Sequence, residues 1–327
     1  MALSDPVAPP AGASAELAMD PAALPAVATV SRVDFGSIVL MTDAGQRLDA
    51  TVPARLRGAK KVLGNAVVVG DRVHLAWESE RIVVQSVEPR QNAFSRRAAG
   101  EREVEQVVAV NLDQVVIVAS MRQPDLKHGF VDRVLVQCEH AGIPARIAFN
   151  KLDLADPGEV ETAIEDYAAA GAIGQAMSAA LDTGIHALLE ECRGRRSLFV
   201  GHSGVGKSSI LSRLAPGHEL LAGDVNAVTG KGRHTTTAAL LIRPEAGMEL
   251  IDTPGVRAFA LWGVDADSLQ DHYPDIRAHL GHCRFGDCRH DREPGCGLRA
   301  ALESGEIRER RFASFQKLRG ELEGEDA

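Results

Sequence analysis

Residues Gly201-His202-Ser203-Gly204-Val205-Gly206-Lys207-Ser208 follow the spacing G-x-x-x-x-G-K-S. An apolar run, RSLFVG at 196–201, precedes them, and the helical pattern SSILSRL at 208–214 follows. A loop of this kind has few structural solutions. Its glycines let backbone N–H groups close on phosphate oxygens, and the helix behind it turns the positive end of its dipole toward them. The geometry needs a strand on one side and a helix on the other, so it commits this part of the chain to an α/β layer. Lys207 is expected to reach β and γ phosphates, and Ser208 to ligate Mg2+, in a cradle running from Gly201 to Ser209.

A second feature stands upstream of the first. Asn150-Lys151-Leu152-Asp153 ends an apolar strand pattern. A carboxylate at Asp153 can accept two hydrogen bonds from guanine N1 and N2, whereas adenine offers no matching donors and would leave the carboxylate unpaired. Asn150 would support the loop and the purine edge, and the Lys151 stem would cover the ring face. Ser178 and Ala179, in MSAA, could supply a backbone N–H to guanine O6. Downstream, IDTPGV places Asp252 at a strand end and Gly255 three residues on. An acid there would hold Mg2+ through water, and the Gly255 N–H could sense a γ-phosphate.

The order of these motifs is unusual. A standard GTPase begins with its phosphate loop and ends with its guanine loops. Here the guanine loop comes first. Cutting the standard ring of motifs between D-x-x-G and N-K-x-D, and joining the old ends, yields this order. Termini of α/β domains often lie close together, so a circular permutation is compatible with an unchanged site. In this order the D-x-x-G loop leads directly into the C-terminal segment, which suggests that the nucleotide state is reported there.

One component is missing. Ras-like enzymes orient the attacking water with a Gln after D-x-x-G, and this chain has Val256 there. Intrinsic hydrolysis is therefore expected to be slow. His234, in KGRHTTT, is the internal candidate to position water, with a plain loop histidine as the alternative. Thr236 is the candidate Mg2+ ligand among Thr235–Thr237.

Residues 1–27 are rich in Ala and Pro, lack apolar periodicity and read as a disordered lead. Five short alternating segments fill 28–92, separated by Gly- or Asp-containing turns. They suit a small β-barrel such as an OB-fold, although an SH3-like barrel or a sandwich would leave the same pattern. A basic linker is expected next. From 98 to 263 strand and helix patterns alternate, as a largely parallel sheet requires. A helical segment occupies 264–327.

The formal net charge is −9, which speaks against a uniformly basic nucleic-acid binder but not against a local basic face. Residues 53–61 and 90–102 each carry four positive charges. Three of five cysteines crowd into 283–296, which indicates a metal site in a reducing cytoplasm rather than disulfides. Cys283, Cys288, His290 and Cys296 would complete a tetrahedral Zn2+ shell with no open position, hence a structural site. His282 is a rival ligand, made awkward by its adjacency to Cys283. Cys138 and Cys192 sit on predicted helices and read as core. No secretory signal and no run long enough to span a bilayer is expected.

Taken together, the permuted motifs, GRHTTT, DTPGV and the Cys-Cys-His-Cys cluster resemble the ribosome small-subunit-dependent GTPase A family (RsgA/YjeQ). The resemblance covers nearly everything after residue 27. It implies an OB-fold, a permuted GTPase domain and a zinc domain. It also implies slow GTP hydrolysis, stimulated by the small (30S) ribosomal subunit during late maturation, with 16S rRNA as a contact and a monomeric protein. The chain departs from the family in having His202 where Gln is frequent, and Phe312 and Phe315 where Tyr is common. Two other readings remain open from the residues alone: a non-catalytic rRNA-binding assembly factor with nucleotide as structural ligand, and a P-loop ATPase.

Overall fold

In strand β8 (Gln114–Ser120) every residue is buried, and successive side chains enter opposite cores. Val115, Ile117 and Ala119 join one cluster, while Val116 and Val118 join another. Period-two alternation between two apolar layers marks a strand covered on both faces by helices. This strand lies near the middle of the sheet in the computed structural model, which describes residues 23–34, 37–56, 67–98, 103–218, 220–221, 239–245, 247–254 and 259–324.

The chain first forms β1 (Val27–Val33), β2 (Ile38–Met41), β3 (Arg47–Ala50), β4 (Arg72–Glu78) and β5 (Arg81–Val87). β1 pairs β2 and β4, β2 pairs β3, and β4 pairs β5, all antiparallel. A parallel bridge between Thr51 and Val83 joins the end of β3 to β5, and the ring of pairings closes. Ala28, Val30, Leu40, Val73 and Val84 fill this small barrel.

The α/β layer follows. Its elements are β7 (Glu105–Val110), β8, α1 (His128–Ala141), β9 (Ala145–Asn150), α2 (Pro157–Ala168), β10 (Ile173–Ala176), α3 (Ile185–Cys192), β11 (Arg196–Gly201), α4 (Lys207–Leu214), β12 (Leu240–Glu245) and β13 (Met248–Asp252). The sheet runs β10-β9-β8-β11-β13-β12 and continues through β1 into the barrel. Within β10-β9-β8-β11-β13-β12 the neighbours are parallel except β12, which runs antiparallel to β13. Helices α1 and α2 cover one face, while α3 and α4 cover the other.

The stretch 105–120 holds two strands, because the chain turns at Asn111, whose φ is 57°, and β7 leaves the main sheet. One expectation is corrected: the described part of the basic linker is not a connector. It forms β6 (Ala93–Arg97), paired with β7. Phe94 there is fully buried and tilts against Phe259 at 5.6 Å.

Barrel and α/β layer share a polar seam. Arg32 pairs with Leu240 across β1 and β12, and Ser31 Oγ donates to the Leu241 carbonyl at 2.7 Å. Arg196 Nη1 donates to Gly70 O and Arg243 Nη1 to Thr42 O, each at 2.6 Å. Both arginines pair with Glu249. Burial works against the Glu249 charge, but Arg196 and Arg243 outweigh it and hold the carboxyl below its usual range.

The C-terminal segment folds as α5 (Pro274–Arg277), α6 (Gly297–Glu303) and α7 (Glu309–Glu323). It docks on α1 through a buried charge cluster. Arg311, 1% exposed, forks onto Asp275 at 2.8 and 3.0 Å and bonds Asp132 of α1. Its guanidinium lies over the Tyr273 ring at 4.5 Å. Among the described residues, no helix is long and apolar enough to cross a membrane.

Candidate nucleotide site and metal centre

β11 ends at Gly201, between β8 and β13, and α4 begins at Lys207. The five residues between them form the loop. Val205 is 4% exposed and anchors it in the core beneath. Gly206 has φ +92°, and a Cβ there would lie 2.2 Å from Asn150 Nδ2. No other residue fits this position, since both the backbone conformation and the space exclude a side chain. Among the described residues no side chain caps α4, and the first-turn N–H groups of a helix are the donors an anion would meet.

Lys207 is 7% exposed and pairs with Asp252, which is fully buried. The second Asp252 oxygen accepts from Leu221 N at 3.0 Å. Thr253 Oγ1 donates to Phe199 O at 2.7 Å and fastens the start of the D-x-x-G loop to β11. Ser208 is half-buried in the first turn of α4, and Ser209 is exposed. His202 turns toward the edge of Phe130, with 6.2 Å between ring centres, and its Nδ1 stands 3.1 Å from Ser203 O. Thr236 and His234, with Thr235 and Thr237, lie outside the described residues, as do Gly255 and Val256.

The guanine-type loop meets the phosphate loop directly. Asn150, 2% exposed at the end of β9, donates from Nδ2 to Val205 O at 2.9 Å. Its Oδ1 accepts from Ala179 N at 3.0 Å. Lys151 takes the left-handed conformation, φ 63°, and donates from Nζ to Gly204 O at 2.8 Å and to Gln123 O. Asp153 is exposed in a short 3₁₀ turn, Leu152–Leu154, where its carboxylate accepts from Ser178 Oγ. Leu152 N donates to Met177 O at 3.1 Å, tying that turn to the S-A loop. Three segments distant in sequence thus converge.

Both backbone donors of the S-A loop already have partners. Ser178 N donates to Thr183 O at 3.0 Å, and Ala179 N is engaged by Asn150. A purine oxygen reaching this loop would compete with Asn150 for the Ala179 N–H. Sequence reasoning also passed over the loop after β8. Gln123 offers its carbonyl to Lys151, and Pro124 Cδ lies 3.5 Å from where a Gly204 side chain would begin. A backbone carbonyl leaves no residue-type signal, so nothing in the sequence marks it.

The second cluster is formed by Cys283, Cys288, His290 and Cys296, whose ligand atoms all lie within 4.8 Å of one another. His290 Nδ1 stands 3.5 Å from both Cys283 Sγ and Cys296 Sγ. Its Nε2 faces Gln270 Oε1 at 3.1 Å. That contact fixes which ring nitrogen points inward. Burial and the nearby Arg319 push the imidazole below its ordinary value. Gly297 N donates to Cys283 Sγ at 3.2 Å. This donor set fits a metal ion. Cys138 and Cys192 lie elsewhere in the core, where burial raises both thiols, Cys192 to about 11.

A permuted motif order, a phosphate loop joined to a guanine-type loop and a Cys3His cluster now stand in one molecule. The chain matches the RsgA GTPase family over residues 87–262. It belongs to that family. A relative from Gemmatimonas aurantiaca, the small ribosomal subunit biogenesis GTPase RsgA, is 39% identical over 86% of this chain and 93% of its own length. The crystal structure of YjeQ from Thermotoga maritima superposes with a TM-score of 0.72 at 28% identity, covering 91% of this chain and 98% of that one. YloQ, described as a circularly permuted GTPase, shares the fold with a TM-score of 0.68 at 22% identity, over 92% and 96% of the two chains. As a member of the RsgA family the protein is a GTP hydrolase, which removes the ATPase reading. The sheet order carries the permutation: β11, the phosphate-loop strand, is central although it comes late in the chain.

Proposed function

We propose that this GTPase binds the small ribosomal subunit and assists its late maturation, hydrolysing GTP slowly alone and faster on the subunit. The relatives' name supplies the partner. The observation that carries the site assignment is the Asn150–Val205 hydrogen bond, which joins the guanine-type loop to the phosphate loop. In this reading Asp153 exchanges Ser178 for guanine N1 and N2, and the Lys151 stem covers the base. Lys207 leaves Asp252 for the β and γ phosphates. Ser208 and Thr236 would hold Mg2+, which screens the phosphate charge. With Val256 in place of a water-orienting Gln, His234 or a group from the subunit completes the site.

The barrel pairings, β1-β2-β3-β5-β4-β1 with a parallel closure, support an OB-fold over 28–92, beside a GTPase domain at 98–263 and a zinc domain at 264–327. Three thiolates and a neutral imidazole without an open position suit structural Zn2+. The basic stretches 53–61 and 90–102 would contact 16S rRNA, chiefly through phosphates. The protein would act as a cytoplasmic monomer, bound to the subunit with GTP and released after hydrolysis. GTP turnover with and without purified small subunits tests this, with Lys207→Ala as control. The expected result is stimulation by subunits. Equal turnover in both conditions, or equal subunit affinity with GDP and a GTP analogue, overturns it and favours a non-catalytic assembly factor.

A further inference from the structure

Phe285 is 43% exposed. Among the described residues every other Phe, Tyr and Trp is buried or half-buried. A single exposed apolar side chain is ordinary on a protein surface. This one is held in an unusual way. It sits between Cys283 and Cys288, two members of the metal cluster, so both ends of its loop are tied to one point. Arg284 N donates to Gly295 O at 2.9 Å, and a Cβ on Gly295 would stand 3.0 Å from Arg284 Cβ. The two limbs of the cluster touch directly beneath the tip. The Arg284 guanidinium lies 5.5 Å from the centre of the Phe285 ring. The result is an aromatic ring and a planar cation on a braced loop facing solvent.

The charges on the loop differ in their partners. Arg284 and Arg292 are exposed, with the Arg292 side chain at 90%. The Glu293 carboxylate accepts from the N–H groups of Arg289, Asp291 and Arg292 at 2.8, 2.9 and 3.1 Å. Asp287 and Asp291 are the remaining acids on the loop, and Asp291 already faces Arg292 at 3.8 Å. Unpaired bases stack on phenylalanine rings and guanidinium planes, and their phosphates seek arginines. A duplex keeps its bases stacked inside and offers no face to such a ring.

We infer that the Arg284–Phe285 tip of the metal-cluster loop is a stacking platform for an unpaired RNA base, with Arg292, exposed on the same loop, available to a flanking phosphate. This rests on the proposed ribosomal partner and names the kind of RNA it must present: a single-stranded loop or bulge.

The test uses the full-length protein, with metal content and subunit-free GTP turnover measured for each variant. Phe285→Ala should weaken binding to purified small subunits, and to a single-stranded oligo-adenylate, by about five- to a hundredfold. Phe285→Trp should retain binding and gain fluorescence that oligo-adenylate quenches and blunt duplex RNA does not, beyond any change in Trp77 and Trp262 of the wild type. Unchanged affinity of Phe285→Ala for both probes overturns the inference. So does loss of subunit binding with no quenching of Phe285→Trp, which would assign the tip to a ribosomal protein. If wild-type protein ignores the subunit altogether, the proposed function fails, while the quenching experiment still decides whether the tip stacks on RNA.

Discussion

The side-chain amide of Asn150 donates to the carbonyl of Val205 at 2.9 Å, a bond between residues 55 apart in the chain. The same side chain accepts from Ala179 N at 3.0 Å and is 2% exposed. One buried amide therefore joins three loops that would otherwise be held only by their own strands. Removing it leaves a buried carbonyl and a buried N–H without partners, each costing about 1–3 kcal/mol. Asn150→Ala should lower GDP affinity by about tenfold or more. Asn150→Asp should fare no better, because a carboxylate would face the Val205 carbonyl. Isothermal titration with GDP reads both. Wild-type affinity in Asn150→Ala would mean that the loops position themselves independently.

Lys207 and Asp252 give a prediction in which stability and activity part company. The pair is buried, at 7% and 0% side-chain exposure. Breaking a buried pair from one side typically costs about 3–5 kcal/mol, because the remaining charge is stranded. Lys207→Ala should therefore lower the thermal stability of nucleotide-free protein and abolish GTP turnover. Adding Asp252→Asn to Lys207→Ala should restore much of the stability and none of the turnover. If the double variant is no more stable than Lys207→Ala, the loss came from packing of the lysine stem rather than from the stranded carboxylate.

How far these features were legible depended on how local their cause is. The loop at 201–208 and Asn150–Asp153 could be read because the demand they meet, backbone against phosphate or carboxylate against guanine, is written in adjacent residues. Ser178 and Ala179 carry almost no signal alone, and only the fold brings Ser178 against Asp153. β6 looked like a connector because its arginines dominate the composition, while its structural residue is one phenylalanine whose partner, Phe259, lies far along the chain. The spacing of the cysteines announced a metal site, but Gln270, which orients His290, stands 20 residues away in an unremarkable sequence. The seam between barrel and sheet was invisible, since Ser31 and Leu241 are 210 residues apart.

That seam makes a prediction about pH. Glu249 joins Arg196 and Arg243, which reach back to barrel carbonyls. Its carboxyl is held below the ordinary range in the folded protein, the two arginines overcoming the opposing effect of burial. The folded state therefore binds this proton less readily than the unfolded chain. Its contribution is complete above the unfolded pKa, about 4.3, and is lost as pH falls through the lower folded value. Glu249→Gln should melt below wild type at neutral pH, by a margin that stays level down to about pH 4.3 and then shrinks. Thermal melts of both proteins across that range read the difference, which cancels the other carboxylates. A margin that widens on acidification would reverse the sign and refute the assignment.

Arg311 holds the C-terminal helices to the GTPase layer, within a Glu/Arg-rich helical segment written IRERRFASFQKLRGELE. The structure buries Arg311 because Asp132, 179 residues away, and Asp275, 36 residues away, meet it there. Ser314 Oγ and Arg310 satisfy the outer oxygen of Asp132 at 2.6 and 3.1 Å. Arg311→Met keeps most of the volume and strands the carboxylates, so helix α7 should lose about 3–5 kcal/mol of protection. Arg311→Lys keeps the charge and loses the fork, and should fall between. Hydrogen exchange at amides 309–323 measures this locally, without treating a multi-unit protein as one transition. Protection in Arg311→Met equal to wild type would show that Phe312, Phe315 and Leu318 dock the helix alone. The opposite result would make this cluster the hinge pin through which α1, and the loop before it that touches Lys151, meets the metal-bearing segment.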